Sequence, residues 1–401
     1  MEQLELFNAP FTLEEIFEAY FECRKNKRRT LNALCFELEL ERNLIRLWRD
    51  LNDGTYKIGR SITFIVTRPV RREIFAADFR DRIVHHLIMR KLMPLFEQHF
   101  HPHSFSCRVG KGTLCAIKAA YDDIKACSHN YTRPCYVMKL DIQAFFMSID
   151  QRILFRKLHK FIEKYYHGAD KSRVLCIVRD IVFNRPQENC KRKGLLKDWE
   201  KLPKHKSLFS ASPFRGLPIG NLTSQIFANF YLNDLDFFVH GTDLFYERYV
   251  DDFMVIHPDV SVLIRWREKV RTFLEQRLGL RLHPKKFYLQ SIWKGVPFVG
   301  GYLMPFRLYL SRRFKNNYLA AMYRLKKYFM LPLDPGGWVH IVSMLCSYGG
   351  FLKHYATYRL RSRGYQMIAP LLMPFFGVSA GYKCFRLKSS AAVCSGRFFA
   401  C

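Results

Sequence analysis

Two aspartates stand side by side in Tyr249-Val250-Asp251-Asp252, with Phe245-Tyr246 before them and Phe253-Met254-Val255-Ile256 after. Apolar runs around a short polar break read as a hairpin with the acids at its tip. Adjacent carboxylates repel, and a divalent cation is the partner that offsets such a charge. Alone, the pair is also what a solvated turn looks like. A third acid changes the reading, because Asp141 closes the β-like run Cys135-Tyr136-Val137-Met138-Lys139-Leu140. Asp141, Asp251 and Asp252, brought together from two strands, form a ligand set for two Mg²⁺ ions in an in-line phosphoryl transfer, with Mn²⁺ the alternative metal. The expected chemistry is nucleotide polymerisation.

The elements that must position these acids are predicted from periodicity. Residues 12–53 read as helices, opened by a capping box of Thr12 with Glu15. Residues 55–75 alternate like a hairpin, and Asp78 starts a helix that Pro94 should kink or end. Helices are expected over 112–127, 153–165, 172–182, 220–236 and 260–278, a strand over 136–141, and short strands near Phe287 and Phe298. Residues 185–215, with Arg185-Pro186, Lys191-Arg192-Lys193 and Pro203-Lys204-His205-Lys206, read as a basic surface loop. A basic helical tail closes the chain. No internal repeat stands out.

The charge narrows the partners. Lys and Arg number 65 against 35 Asp and Glu, a formal +30, which favours a polyanion over a neutral small molecule. From Gly301 onward the only acid is Asp334, while Arg312, Arg313, Lys326 and Lys327 lie among interleaved aromatics such as Phe314, Tyr318 and Tyr323. Cations of this kind neutralise phosphates, and planar rings lie against sugars and bases. An acidic membrane is excluded as the target, since no basic segment has a clear apolar face. The twelve cysteines make no CxxC pair and no zinc spacing, and read as small buried apolar side chains in a reducing compartment. Met1-Glu2-Gln3-Leu4-Glu5 is acidic where a signal peptide would be basic, so a cytoplasmic protein is expected.

Several further stretches occur in a telling order: Arg72-Glu73-Ile74 with Asp81-Arg82, the run Ser104 to Thr113, Leu140-Asp141-Ile142 with Phe145-Phe146, Gly216-Leu217-Pro218-Ile219-Gly220-Asn221-Leu222-Thr223-Ser224-Gln225, His283-Pro284-Lys285-Lys286, and Gly295 to Gly300. Together with Tyr249 to Asp252 they resemble the palm of a reverse transcriptase over residues 68–305. Most members carry Gln before the glycine of the fourth stretch and Ser-Pro at its end. Here Ile219 and Ser224-Gln225 stand there, a pattern that resembles the reverse transcriptases of diversity-generating retroelements of bacteria and phages. Lys206-Ser207-Leu208-Phe209 is similar to that group too.

The resemblance implies an α+β right-hand polymerase fold: a helical extension (1–54), fingers (55–135), a palm of antiparallel sheet and helices (136–305) and a basic helical thumb (306–401). It implies that Asp141, Asp251 and Asp252, with the backbone of Ile142, hold two metal ions. Arg72, with Arg71 beside it, would grip the triphosphate; Phe146 would exclude a 2′-hydroxyl; Ile219, Gly220, Gln225 and Lys286 would line the nucleotide site. Arg108 and Lys111, in a Gly-flanked loop that lacks the P-loop spacing, and Tyr249 would touch template or primer, as would Arg312, Arg313, Lys326 and Lys327. The implied partners are template RNA, cDNA or primer, dNTPs and a small helical oligomeric accessory protein. The implied product is error-prone, adenine-directed cDNA. A faithful retron-like or intron-like enzyme, or a polymerase fold that only binds RNA, remain the alternatives.

Overall fold

The structure, a computed structural model, describes residues 9–25, 30–68, 70–328, 335–374, 376–383 and 385–388. Met1 to Glu5, Asp334 and the side chain of Lys327 lie outside the described residues. The chain forms two compact units, one of Met1–Gly112 with Met138–Tyr288 and one of Thr113–Val137 with Leu289–Cys401.

The first unit opens on helix Leu13–Arg24, whose capping box is formed: the Glu15 amide donates to the Thr12 hydroxyl (3.2 Å) and the Thr12 amide to the Glu15 carboxylate (3.1 Å). Ile16, Ala19, Tyr20 and Cys23 share one face and are buried, and the helix packs against helix Phe79–His99. Asp78 caps that second helix through the Arg80 amide (3.0 Å). Pro94 does not end it. Leu92 and Phe96, on either side, are fully buried, and packing of that size offsets the roughly 3 kcal/mol an interior proline costs.

Seven strands make two sheets: β1 (Ser61–Val66), β2 (Arg72–Ala76), β3 (Tyr136–Ile142), β4 (Cys190–Arg192), β5 (Phe245–Tyr249), β6 (Asp252–His257) and β7 (Leu282–Ser291). The smaller runs β2-β1-β4, with β1 antiparallel to β2 (Ile62 opposite Ala76) and parallel to β4. The expected surface loop 185–215 therefore contributes a strand, and also helix Leu196–Glu200. Polar, short elements without periodicity hide from pattern reading. The larger sheet runs β5-β6-β3-β7. Its β6 residues Phe253, Met254, Val255 and Ile256 are all fully buried, so both faces of that strand are covered. The helix expected over 220–236 is two helices, Leu222–Tyr231 and Asn233–His240. Helix Val260–Phe273 runs into a π-turn, Leu274–Leu278.

In the second unit, helix Thr113–Cys127 accompanies an antiparallel sheet of β8 (Val296–Phe298), β9 (Gly301–Met304) and β10 (Arg307–Leu310). Helices Arg312–Tyr328, Pro335–Leu352 and Tyr358–Leu372 follow. The tail is not wholly helical, because β11 (Phe376–Val378) and β12 (Phe385–Leu387) pair as a hairpin. Helix Arg312–Tyr328 buries Tyr318, Ala321, Met322 and Leu325 and exposes Arg312, Arg313, Lys315, Arg324 and Lys326. Gly364 is required where it stands: a Cβ there would lie 2.1 Å from the Tyr318 hydroxyl.

Candidate active site

β5 and β6 meet in a two-residue turn, with Tyr249 paired to Asp252 and Val250-Asp251 at the tip. Val250 has φ of 59°, the left-handed region that a β-branched residue rarely enters. Such a conformation costs on the order of 1–3 kcal/mol and persists only where the surroundings enforce it. β6 and β3 are bonded neighbours, which brings Asp252 and Asp141 onto adjoining strands. Two lysines answer the charge: Lys286 Nζ lies 2.8 Å from Asp141 Oδ2 and Lys139 Nζ 3.3 Å from Asp252 Oδ1.

The electrostatics show that the three carboxylates share one field. Burial, then the neighbouring Asp141, pushes Asp251 up to about 6, while its own backbone amide and Lys286 pull the other way. Burial raises Asp252 too, and Lys139 opposes it. Carboxylates this mutually repulsive, offering only hard oxygen donors, fit a divalent cation of the Mg²⁺ or Mn²⁺ type. Two ammonium groups alone leave three acids incompletely neutralised.

Beside them, Phe146 lies in the short helix Phe145–Ser148 and packs, with Ile219, on a buried cluster of Phe75, Met147 and Leu208. The Phe75 amide donates to the Ile219 carbonyl (2.8 Å). Gly220 then takes φ of 125°, and a Cβ there would stand 2.8 Å from Ile74 Cγ2 and 3.0 Å from the Phe75 carbonyl, so only glycine passes. Gln225 is exposed on its helix, accepting from the Cys107 thiol at 3.5 Å. Arg72 is exposed at the start of β2 and Arg71 is half-buried.

A family model described as reverse transcriptase (RNA-dependent DNA polymerase) matches residues 69–303, which include all of these positions. The chain belongs to the reverse transcriptase family. Protein YkfC of Escherichia coli (strain K12) is 22% identical over 255 residues, which are 55% of this chain and 60% of that protein. Apo telomerase from Candida Tropicalis has a similar structure, with a TM-score of 0.50 at 11% identity, over 79% of this chain and 58% of that one. Telomerase from Candida albicans, solved with a TWJ fragment of telomeric RNA, gives 0.49 at 13%, over 80% and 55%. This chain thus spans less than two thirds of each, and the apo telomerase likeness bears on the fold alone: it is the α+β polymerase fold.

The other expected contact residues lie outside this cluster. Arg108 turns inward: its side chain is 6% exposed, Nε lies 2.8 Å from Glu97, and Nη1 donates to the carbonyls of His101 (2.8 Å) and Ser104 (2.9 Å). Those bonds hold the loop together, a role beside the expected contact with template or primer. Lys111 likewise donates to the Pro102 carbonyl and sits over the Phe105 ring. Arg312, Arg313 and Lys326 are exposed on their helix, and the Lys327 side chain falls outside the described residues. The 185–215 connector walls a cavity of about 820 Å³ with Lys204, His205, Ser207 and Arg215, facing Gln143 and Arg281. Sequence reasoning passed over Lys139, although it precedes Asp141 by two residues and so shares its face of β3, a period-2 signal available from the start.

Proposed function

We propose that this chain is an RNA-directed DNA polymerase, and that it makes error-prone, adenine-directed cDNA from a template-repeat RNA for diversification of a target gene. The observation that carries the polymerase reading is the convergence of Asp141, Asp251 and Asp252 with Lys139 and Lys286 between them. Two Mg²⁺ ions held there by these acids and the Ile142 carbonyl would activate the primer 3′-hydroxyl and neutralise the triphosphate. Lys286 holds Asp141 oriented and Lys139 holds Asp252. The Phe146 ring, fixed on its apolar cluster, excludes a 2′-hydroxyl. Arg72, exposed on β2, is free to reach a triphosphate with its planar guanidinium, and Arg71 lies beside it.

The diversity-generating subtype is supported by Ile219 and Gln225. An apolar side chain at 219 gives an incoming nucleotide no directional hydrogen bond, so a mispair loses little relative to a match. On this reading residues 55–135 act as fingers, 136–305 as palm and 306–401 as thumb, with the exposed cations of helix Arg312–Tyr328 on RNA or cDNA phosphates. A small helical oligomeric accessory protein joins the complex in the cytoplasm of a bacterium. No helix among the described residues is long and apolar enough to cross a membrane.

The test is primer extension on an adenine-containing RNA, with the cDNA sequenced. Errors concentrated opposite template adenines are expected. Uniform fidelity leaves a faithful reverse transcriptase; no extension in Mg²⁺ or Mn²⁺ removes the polymerase reading.

A further inference from the structure

Arg248 precedes the catalytic turn by two residues and is fully buried, as is its partner Asp236. The pair is bidentate, Nε to Oδ1 at 2.6 Å and Nη2 to Oδ2 at 2.5 Å. The remaining donors are also used: Nη1 reaches Asn229 Oδ1 (2.8 Å) and the Val250 carbonyl (3.0 Å), and Nη2 reaches the Ser104 hydroxyl (2.9 Å). The backbone is tied as well, with the Arg248 amide donating to the His103 carbonyl (3.0 Å) and its carbonyl accepting from the Phe105 amide (3.1 Å).

One of these bonds leaves the core. The Val250 carbonyl belongs to the peptide that leads into Asp251, and Val250 is the residue held at φ of 59°. In a planar trans peptide the carbonyl and the amide point opposite ways, so fixing the Val250 carbonyl also aims the Asp251 amide. We propose that Arg248 is a positioning residue for the polymerase reaction: anchored by Asp236, Asn229 and Ser104, it clamps the strained turn so that Asp251 faces Asp141. The clamp rests on the polymerase reading above. Lysine cannot replace it, since one ammonium cannot make a two-pronged pair with Asp236 and still reach three further acceptors.

The experiment compares Arg248→Lys in two backgrounds, wild-type and Val250→Gly, by extension kinetics and by Mn²⁺ affinity from electron paramagnetic resonance. A misaimed ligand should lower kcat on the order of 10²-fold while dNTP KM and RNA affinity stay near wild type, since ångström-scale misplacement costs about that much. Mn²⁺ should bind more weakly. Glycine reaches positive φ freely, so in the Val250→Gly background the same substitution should cost several-fold less. An equal cost in both backgrounds, or unchanged kcat and Mn²⁺ affinity, overturns the clamp. Should Arg248→Lys fail to fold, Asn229→Ala keeps the ion pair and removes the amide oxygen that accepts from Arg248 Nη1 and from the Ser104 hydroxyl. A kcat loss at unchanged KM is then expected, and wild-type kcat and Mn²⁺ affinity overturn the proposal. If the unmutated chain does not extend a primer, the polymerase reading falls, and the Mn²⁺ measurement still decides the clamp.

Discussion

Glu73, fully buried, and Asp251, half-buried, are both carboxylates raised above the ordinary range, and their surroundings could hardly differ more. Around Glu73 every neighbour is a donor: Trp199 Nε1 at 2.9 Å, the Ser207 hydroxyl at 3.0 Å and the Leu208 amide at 2.7 Å. Burial raises it, and those three bonds all oppose the rise. It fastens the connector to β2. Around Asp251 burial is joined by two more carboxylates, Asp141 and Asp252, which add to the rise. A satisfied buried acid is structural; one left among its own kind is a candidate for binding a cation.

The largest effect should come from exchanging the two acids' roles by mutation. Asp251→Asn should abolish templated extension while RNA affinity is kept, and metal-free protein should melt no lower, because a repulsive charge is gone. Glu73→Ala should do the reverse, keeping measurable extension but lowering the melting temperature. It orphans three donors, of which the Ser207 hydroxyl and the Leu208 amide are buried, at about 1–3 kcal/mol for each buried one left unpaired. Equal extension by Asp251→Asn and wild-type protein would dissolve the contrast.

Metal and pH sharpen it next. Asp251, at about 6 when folded, holds a proton that the unfolded chain releases at the lower, ordinary carboxylate value. Its contribution to stability is therefore full below the unfolded value near pH 4 and is lost as pH rises through the folded value. In a chelator the melting temperature should carry that loss between roughly pH 4 and 6, as linkage requires. Added Mg²⁺ should raise the melting temperature more at pH 8 than at pH 5. A metal effect independent of pH would argue that the ion binds elsewhere.

A smaller change is expected at Ile219, which shares its packing cluster with Phe146. Ile219→Gln supplies one directional hydrogen bond, worth about 0.5–1.5 kcal/mol, so errors at template adenines should fall by tenfold at most, since about 1.4 kcal/mol is a factor of ten. cDNA sequencing measures it, and an unchanged rate removes Ile219 from the error mechanism. The smallest effect belongs to the exposed cations. Arg312→Ala or Arg313→Ala should each lower the slope of log affinity for RNA against log salt by about 0.7–0.9. A slope untouched by both would move the nucleic-acid path away from that helix.

Much of the first unit was legible because its signals are local. The Thr12–Glu15 box, the Asp78 cap and the apolar runs around Asp251 are set by residues a few positions apart. The family was legible for a related reason, since its motifs keep their order along the chain. Arg108 reads on the sequence like a template or phosphate contact in a glycine-flanked loop; the Glu97 carboxylate and three carbonyls, brought close by folding, turn it inward. Pro94 reads as a kink or a helix end, and burial on both sides carries the helix through.

By itself, then, the sequence determined the candidate chemistry: which acids, in which order, on which apolar strands. Side-chain type and local spacing suffice for that. What holds those acids in place was decided by tertiary structure. Arg248 finds Asp236 twelve residues away and Ser104 across 144, while Glu73 finds Leu208 across 135. Partners so distant leave no periodic trace, and whether a charge is buried and paired or exposed and free depends on the space around it.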